Sequence, residues 1–389
     1  MLRWKPFTSS IFSTMSEHAL RTGAVNLSQG FPDFAAPPEI LEGAIEAIRA
    51  GHNQYAPAWG IPELRRFVAE RREAACGEAF DPGRNVTVFS GATEGIFSSI
   101  LALFSPGDEI LAFEPWYESY PAAAVAAGCR IRGIPLQPPD WRIQVDDLHR
   151  VINHRTRGLI LNTPHNPTGK VFSQDELEML AELCVRHNLL VITDEVYEEL
   201  VYDGRRHISI CSLPGMRERT VTISSTSKTF SLTGWKVGYG FADDPLMEAI
   251  RAVHMNTVFC SATPLQHGIL AAMEFGDQYY TDLRQRYEQR RDELHGILTR
   301  AGFRCPRPAG TYFILADYSP LSKAGDYDFA LQLTREAGVT ALPVSSFYED
   351  SAAAGQAMRF LRFGFCKKPE TIAAAGKKLN QWHDDYGRG

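Results

Sequence analysis

Five short apolar runs between residues 85 and 241 constrain the fold of this chain more than any other feature of its sequence. Polar loops and helical patterns separate the runs, for example at 94–104, 117–127 and 174–187. Strands that are apolar throughout and alternate with helices indicate a mostly parallel sheet covered on both faces. We therefore predict an α/β fold. The runs are NVTVFS (85–90), EILAFE (109–114), RGLILN (157–162), LLVIT (189–193) and RTVTISS (219–225).

The 389 residues are enough for about two domains. A charged amphipathic stretch at 277–300 predicts a long helix that leads out of the sheet domain. After it, the runs TYFILAD and MRFLRFGF read as strands, and helical patterns near 327–337 and 369–382 complete a smaller α+β unit. We expect three parts, namely an N-terminal segment that joins the small domain (1–45), a large domain with the parallel sheet (46–283) and a small C-terminal α+β domain (284–389).

Composition and charge exclude several classes of protein. The net charge of −6 gives no reason to expect nucleic acid or an anionic membrane as partner. The seven cysteines are dispersed without a CxxC pair, which argues against a disulfide framework and against a metal site, and indicates a reducing compartment. No secretory signal is visible in residues 1–30, and no apolar run approaches the ~20 residues that span a bilayer. We therefore expect a cytoplasmic protein.

Ligands of such sheets bind outside the carboxyl ends of the strands, so the residues that follow each apolar run are the candidate site. The first run is followed by GATEG (91–95) at the start of a predicted helix. Free backbone N–H groups and the helix dipole make such a start an anion pocket. The alternative is an ordinary helix cap formed by Thr93.

Two further loops carry an amide and a carboxylate. The loop TPHNPTGKVF (163–172) has two prolines and a glycine that fix an extended backbone around Asn166, which is otherwise simply a turn residue. Asp194 directly follows the apolar run LLVIT, so its carboxylate requires a cationic or hydrogen-bonding partner, unless it only caps a helix. Tyr197 faces the same side as Asp194 if the chain turns helically there.

The last run leads into SSTSKTFSLTGWKVGYG (224–240), where Lys228 lies among serines and Lys236 follows eight residues later. On its own, Lys228 is equally typical of a solvated loop. Together, the four loops carry an anion cradle, an amide, an aspartate with a tyrosine, and a lysine. A ligand that suits all four has a phosphate, an aromatic ring with a basic nitrogen, a phenolic oxygen and an aldehyde. Pyridoxal 5′-phosphate has each of these groups.

With these motifs the chain resembles the fold-type I pyridoxal-phosphate aminotransferases of class I/II. Within them it is most similar to the branch of bacterial methionine aminotransferases, kynurenine aminotransferases and glutamine transaminase K. The resemblance runs from about residue 12 to residue 380. Its motifs are NLSQGFPDF (26–34), NQYAPAWG (53–60), SGATEG (90–95), EPWYESY (114–120), NTPHNPTGKVF (162–172), TDEVYE (193–198), SKTFSLTGWKVGY (227–239) and LRFGFCKK (361–368).

The resemblance implies catalytic roles for three residues of the large, cofactor-binding domain. Lys228 would hold the cofactor aldehyde covalently and later carry a proton to and from the substrate α-carbon, and partial burial with nearby positive charge would favour its neutral amine. Asp194 would pair with the pyridine nitrogen and keep it protonated. Tyr197, together with Asn166, would hydrogen-bond the phenolic oxygen.

The resemblance also implies how the rest of the cofactor is held. Lysine at position 236 is typical of this branch, whereas many other relatives have arginine. Tyr117 would stack on the ring face. Tyr55 would reach the phosphate of the other subunit, which makes a homodimer part of the site, although Tyr55 is alternatively a packed loop aromatic. The groups implied around the phosphate are Gly91, Ala92, Thr93, Ser225 and Lys236.

Arg362 is implied as the partner of the substrate α-carboxylate because a planar guanidinium binds a carboxylate bidentately. Arg359 is the competing choice, but it lies outside the matching motif. Gly30 would let the backbone approach the same carboxylate, and Asn166 would also contact the substrate.

The residues expected to line the side-chain pocket are aromatic, and no arginine is found there for a distal carboxylate. We therefore expect a large neutral donor (methionine, an aromatic amino acid, kynurenine or glutamine) and a 2-oxo acid acceptor in a ping-pong reaction. Aromatic residues at such places are equally typical of domain packing, and Phe259 and Cys260 receive no firm role. The expected pocket residues are Phe12, Phe31, Tyr55, Trp116 and Tyr117.

Two other functions stay open at this point. A carbon–sulfur β-lyase would use the same lysine and aspartate, and only the fate of the β-substituent differs. A non-enzymatic pyridoxal-phosphate regulator would need a DNA-binding segment, and no basic helix-turn-helix pattern is found in the chain. A nicotinamide dehydrogenase is excluded because no GxGxxG follows a strand.

Overall fold

The computed structural model describes residues 10–349 and 359–386, together with residues 4, 7, 8 and 355. The α-helices of this part of the chain are α1 (Ile11–Thr22), α2 (Pro38–Arg49), α3 (Pro62–Cys76), α4 (Ala92–Leu103), α5 (Ser119–Ala127), α6 (Val145–Val151), α7 (Gln174–Arg186), α8 (Thr226–Thr229), α9 (Asp244–Thr257), α10 (Thr263–Leu270), α11 (Asp277–Arg300), α12 (Asp326–Glu336) and α13 (Pro369–Tyr386). The strands are β1 (Val25–Asn26), β2 (Val86–Phe89), β3 (Glu109–Glu114), β4 (Arg130–Pro135), β5 (Thr156–Asn162), β6 (Leu190–Asp194), β7 (Thr220–Ser225), β8 (Gly238–Phe241), β9 (Phe313–Asp317), β10 (Val339–Thr340), β11 (Leu342–Pro343) and β12 (Phe360–Gly364).

Seven strands form the large sheet, in the order β2-β8-β7-β6-β5-β3-β4. Its ladders are parallel except for those of β8, which runs antiparallel to both β2 and β7. Successive residues of β3 belong to two different apolar clusters. Leu111 packs with residues of α7 and α11, whereas Ile110 and Ala112 pack with residues of α4, α5 and α9. The sheet is therefore covered by helices on both faces, which confirms the predicted fold class.

Two strands of the large sheet, β4 and β8, are not among the predicted runs. The five predicted runs all form strands, with ends shifted by at most one residue. One shift concerns the site, because Asp194 is the last residue of β6 and does not follow it. Its backbone therefore takes part in the ladder, opposite Asn162 of β5 and Ile223 of β7.

The C-terminal part of the chain forms a small antiparallel sheet in the order β11-β12-β9. The N-terminal strand β1 pairs in parallel with β10, so the start of the chain lies beside this later part. One continuous apolar cluster includes Leu159 of the large sheet and Leu315 of the small one. The predicted domain boundaries at 45 and 283 stay a prediction.

No helix among the described residues is both long and apolar enough to cross a membrane. All seven cysteines lie in the described ranges, and none of them forms a disulfide. The expected reducing, cytoplasmic environment stays a prediction.

Candidate active site

A cavity of about 270 Å³ lies at the carboxyl ends of the large-sheet strands and extends to the small sheet. Most of the predicted site residues line it, namely Phe12, Gly30, Phe31, Ala92, Thr93, Tyr117, Asn166, Asp194, Tyr197, Ser225, Lys228, Lys236 and Arg362. Sequence reasoning assigned no role to the other lining residues, which are Gln29, Ile96, Asn162, Val196, Ser227, Thr233 and Phe313. Residues far apart in the chain thus meet around one space.

Lys228 lies in the short helix α8, directly after the buried strand β7. Its Nζ is 5.8 Å from the centre of the Tyr197 ring and 5.7 Å from that of Tyr312. Desolvation lowers the pKa of the Lys228 amine to about 8, and the positive charge of Lys236 acts in the same direction. The amine therefore loses its proton more readily than an exposed lysine, as an amine that attacks an aldehyde must.

Asp194 is only 5% exposed, and burial raises the pKa of its carboxyl group. Its Oδ2 accepts a hydrogen bond of 2.6 Å from the Tyr120 hydroxyl, and its Oδ1 accepts one of 3.3 Å from the Val196 backbone. Among the described residues no basic side chain forms an ion pair with it. A buried carboxylate aimed at a cavity without such a partner suits a ligand that brings its own cation, such as a protonated ring nitrogen.

An anion cradle lies where α4 begins. Gly91 has a φ of 83°, and a Cβ atom there would lie 2.8 Å from Cε of Lys236. A Cβ atom on Gly238 would lie 2.6 Å from the backbone nitrogen of Ala92. Strand β8 and Lys236 thus pack directly against the free N–H groups at the start of α4, and this close packing leaves room only for glycine at both positions. A lysine, the start of a helix and the nearby Ser225 hydroxyl suit a phosphate.

Arg362 of β12 is 1% exposed and lines the cavity. Its Nη1 donates to Oδ1 of Asn166 at 3.0 Å, and its Nη2 donates to the Ser28 carbonyl at 2.9 Å. Its Nε is buried without a partner among the described residues. Burial lowers the pKa of Arg362 to about 10, which still leaves it charged at neutral pH. Donors therefore remain free for a carboxylate.

A line of hydrogen bonds connects Arg362 with the strand that carries Asp194. Asn162 ends β5, and its Nδ2 donates to the Asp194 carbonyl at 2.9 Å, while its Oδ1 accepts the Asn166 N–H at 2.7 Å. Asn166 in turn accepts from Arg362. Asn162 thus fixes the loop of Asn166. Its sequence signal was available, because it is the last residue of a predicted strand and opens a recognised motif.

Gly30 lies at the other side of the guanidinium. A Cβ atom there would approach Cζ of Phe313 to 2.8 Å, and the Gly30 carbonyl accepts a hydrogen bond of 2.5 Å from the Tyr312 hydroxyl. The ring of Phe313 stacks under Arg362, with its centre 3.9 Å from Cζ. Glycine at position 30 therefore lets the backbone pass close to the residues that hold Arg362.

Tyr55, Trp116 and Arg359 do not line this cavity, and the expected place of Tyr55 at the other subunit stays a prediction. Tyr55 does not line the cavity of its own chain, since it is 82% exposed and packs edge-on against Phe259. Trp116, expected in the pocket wall, is buried in the core beside α4 and α5, and its backbone N–H donates to the Phe347 carbonyl at 2.8 Å. Arg359 is exposed and lies outside the cavity, so it does not compete with Arg362.

This fold and cavity are those of a pyridoxal-phosphate enzyme, and the comparison with known families agrees. Residues 22–379 match the family described as aminotransferase class I and II. The chain therefore belongs to the class I and II aminotransferases, which confirms the resemblance and makes the protein an aminotransferase with pyridoxal phosphate as cofactor. The residues present fit this group, because they offer an amine with a lowered pKa, a carboxylate that has no basic partner in the described part of the chain, and an anion cradle.

Several individual aminotransferases are similar to the chain over nearly their whole length. The probable N-succinyldiaminopimelate aminotransferase DapC of Mycobacterium tuberculosis is 41% identical, with 97% of each chain covered. A solved structure of N-succinyldiaminopimelate aminotransferase from that organism has a TM-score of 0.95 at 40% identity, covering 98% of this chain and 99% of its own. The methionine aminotransferase of Escherichia coli is 38% identical over 96% of each chain. Human kynurenine–oxoglutarate transaminase 3 is 35% identical over 96% of this chain and 88% of its own.

Proposed function

We propose that this aminotransferase takes a large neutral amino acid (methionine, an aromatic amino acid, kynurenine or glutamine) and passes its amino group to a 2-oxo acid in two half-reactions. The observation that carries the proposal is the chemistry of the cavity wall. The basic residues that line the cavity are Lys228, Lys236 and Arg362, and none of them is left for a distal carboxylate. The apolar residues that line the cavity are Phe12, Phe31, Ile96, Val196 and Phe313.

Five residues of the chain take part in the proton and electron chemistry of this proposal. When bound, pyridoxal phosphate supplies a protonated ring that accepts the electron pair released at the substrate α-carbon. Lys228 holds the cofactor covalently, and its freed amine moves the proton at the α-carbon. The Asp194 carboxylate keeps the ring nitrogen protonated, and Tyr120 holds this carboxylate in place. Tyr197 and Asn166 donate to the phenolic oxygen, and burial raises the pKa of Tyr197, so its hydroxyl stays protonated.

The phosphate and the ring face are assigned to the anion cradle and to Tyr117. Burial raises the pKa of Tyr117, and its hydroxyl interacts with Thr93, so the ring is an uncharged and anchored surface for stacking. The phosphate charge of roughly −1.5 to −2 matches a helix start and a lysine. The groups proposed for it are Gly91, Ala92, Thr93, Ser225 and Lys236.

Arg362 binds the α-carboxylate of the amino acid and of the oxo acid in turn. Its contacts with Asn166 and Ser28 fix the plane of the guanidinium, and its Nε has no hydrogen-bond partner within the described ranges. A fixed guanidinium recognises a planar carboxylate bidentately without further ordering. One such group therefore serves both substrates of a ping-pong reaction.

The proposed active unit is a homodimer with shared sites. Tyr55 and Phe259 form an exposed aromatic pair outside the cavity of their own chain, with ring centres 5.2 Å apart. Large exposed aromatic rings that pack on each other are typical of protein interfaces. We place Tyr55 at the cofactor phosphate of the partner subunit. Cys260 follows Phe259 in the sequence and is half-buried, and we assign it to the same interface.

A second candidate donor is N-succinyldiaminopimelate, which the Mycobacterium tuberculosis relative is named for. The near-complete match of the two chains supports this candidate. The absence of an unassigned basic residue among those that line the cavity speaks against a donor with additional carboxylates. The chemistry of the cavity lining therefore supports the neutral donors, whereas the overall similarity supports N-succinyldiaminopimelate.

A half-reaction screen tests the proposal. The cofactor-loaded enzyme is mixed with each amino acid without an oxo acid, and the loss of cofactor absorbance is followed by stopped flow. We expect methionine, aromatic donors, kynurenine or glutamine to react at least tenfold faster than aspartate, because a distal carboxylate lacks a cation. Faster reaction with N-succinyldiaminopimelate or aspartate would refute the neutral-donor proposal. Release of pyruvate, ammonia and a thiol from cystathionine without an acceptor would instead indicate a β-lyase.

A further inference from the structure

A pair of hydrogen-bonding side chains outside the cavity ties the start of α1 to the segment before α5. The Ser10 hydroxyl lies 2.9 Å and 3.2 Å from the two carboxylate oxygens of Glu118. Ser10 is also the N-cap of α1, and its Oγ accepts the Phe12 N–H at 3.3 Å. Since one hydroxyl makes both contacts, Glu118 is connected through Ser10 to the first turn of α1. We call this pair the Ser10–Glu118 latch.

The latch acts on the one residue of α1 that is found among the cavity-lining residues, Phe12. The centre of the Phe12 ring lies 5.0 Å from Cζ of Arg362 and 6.0 Å from the Phe347 ring. A second tether holds the Phe12 backbone, because Nε2 of Gln29 donates to its carbonyl at 2.9 Å. The wall that faces Arg362 is therefore set by where the first turn of α1 is held.

Glu118 relies on Ser10 because no basic side chain among the described residues pairs with it. Burial raises the pKa of the Glu118 carboxyl, and the hydrogen bond from Ser10 and the charge of Arg362 counteract this. Glu118 directly follows Tyr117, which lines the cavity, so the latch joins two parts of the cavity wall. A partly buried carboxylate stabilised by one hydroxyl keeps that hydroxyl strongly oriented.

We propose that Glu118 is a positioning residue for donor binding, which holds the first turn of α1 through Ser10 and so places Phe12 against the donor side chain. The inference rests on the proposed function, in which Arg362 binds the α-carboxylate and the apolar wall receives the side chain. A larger donor side chain makes more contact with Phe12. Loss of the latch therefore weakens large donors selectively.

The test uses the cofactor-loaded enzyme and the largest and smallest neutral donors that the wild type accepts. The variants are Ser10→Ala, Glu118→Ala, the double variant and Glu118→Gln, which keeps an oxygen to accept the Ser10 hydroxyl. Glu17→Gln, a carboxylate-to-amide change on the exposed face of α1, is the matched control. KM and kcat are measured for each donor, and cofactor absorbance and the unfolding midpoint verify that the variants are folded and loaded.

We expect each alanine variant to raise KM about five- to tenfold for the large donor and less than twofold for the small one, with little change in kcat. The double variant should be no worse than Ser10→Ala, because Ser10→Ala already removes the contact with Glu118 together with the cap of α1. Glu118→Gln should recover most of the affinity, and Glu17→Gln should behave as the wild type. Equal changes for both donors, or additive effects of the two alanine substitutions, would overturn the latch.

The wild-type donor profile reports separately on the proposed function. If the wild type accepted only acidic donors, the neutral-donor proposal would fail. The latch would then still be judged by the double-variant comparison with the acidic donor in use. With that donor, additive losses of affinity in the double variant would refute the latch, and non-additive losses would support it.

Discussion

At the scale of single residues, the chemistry depends on side chains whose surroundings alter their ordinary behaviour. Lys228 is an amine with a lowered pKa, and Asp194 is a carboxylate that burial makes more basic. Their positions could be predicted because each ends or follows an apolar strand, where a polar residue is out of place without a function. Asn162 was missed as a site residue because an asparagine at a strand end is also an ordinary turn signal.

The lowered pKa of Lys228 predicts how the cofactor-free enzyme takes up its cofactor. Burial disfavours the charged amine, so the neutral amine becomes dominant above about pH 8 rather than above 10. We expect the rate of covalent cofactor uptake to rise with pH through a midpoint near 8 and to level off above about pH 9. Stopped-flow absorbance across pH 6–10 measures it, with Lys228→Ala as the control that forms no covalent product. A rate that keeps rising beyond pH 10 would contradict this.

At the scale of elements, the sequence predicts the central strands of the large sheet better than its margin. Strands β3, β5, β6 and β7 are nearly all buried, so their runs are apolar throughout. The edge strand β4 has only two buried residues, Ile131 and Ile134, in RIRGIP, and this pattern is too weak to predict a strand. Strand β8, GYGF, has two glycines, of which Gly238 is required by close packing against Ala92.

A buried ionic network behind the site holds the segment that carries Tyr197. Arg72 of α3 donates to Glu78 at 2.6 Å, to Glu195 at 2.7 Å and to Glu198 at 3.3 Å. Burial alone would raise the pKa of the Glu195 carboxyl group, but Arg72 and His207 lower it to about 2. Glu195, Glu198 and His207 have the spacing of a metal site, but the Arg72 guanidinium already bonds both of these carboxylates. The network is therefore a structural support next to Asp194.

Removal of Arg72 should strongly destabilise the fold. Arg72→Met leaves buried carboxylates without their cation, so we expect it to lower the free energy of unfolding by about 3–5 kcal/mol at pH 7. Arg66→Met, at an exposed position of the same helix, should change it by less than about 0.5 kcal/mol. Urea denaturation measures both.

The same network predicts a pH dependence of stability. The depressed pKa of Glu195 contributes stability above the ordinary value near 4.5, and this contribution is lost as pH falls toward 2. The difference between wild type and Arg72→Met should therefore shrink between about pH 4.5 and pH 2. A difference that stays constant across this interval would argue against the ion pair as its source.

At the scale of the whole molecule, the site exists only where distant parts of the chain meet. Asn166 and Arg362 are 196 residues apart in sequence, yet they share a hydrogen bond between the loop after β5 and the small sheet. Motif resemblance placed both residues in the site, but no local pattern could predict their contact or the latch across 108 residues. Tyr55 is the extreme case, because its proposed site belongs to a partner subunit.

A mixing experiment tests the proposed shared sites. Lys228→Ala chains lack the reactive amine, and Tyr55→Ala chains lack the phosphate contact proposed for the partner. In a mixed dimer, the site with an intact Lys228 receives Tyr55 from the other chain, so we expect activity at low cofactor concentration above that of either variant alone. Unfolding and refolding the two variants together produces the mixture, and each variant treated alone is the control. No gain on mixing would show that Tyr55 serves its own chain, and a monomer in sedimentation would refute the dimer.

The hydrogen-bond line from the Asp194 carbonyl through Asn162 and Asn166 to Arg362 has one further consequence. These three hydrogen bonds fix the distance between the Arg362 guanidinium, which binds the substrate carboxylate in our proposal, and strand β6, which carries Asp194. The amino acid and the oxo acid can then bind in turn without a rearrangement of the site, because the same guanidinium sets the position of the reacting carbon of each.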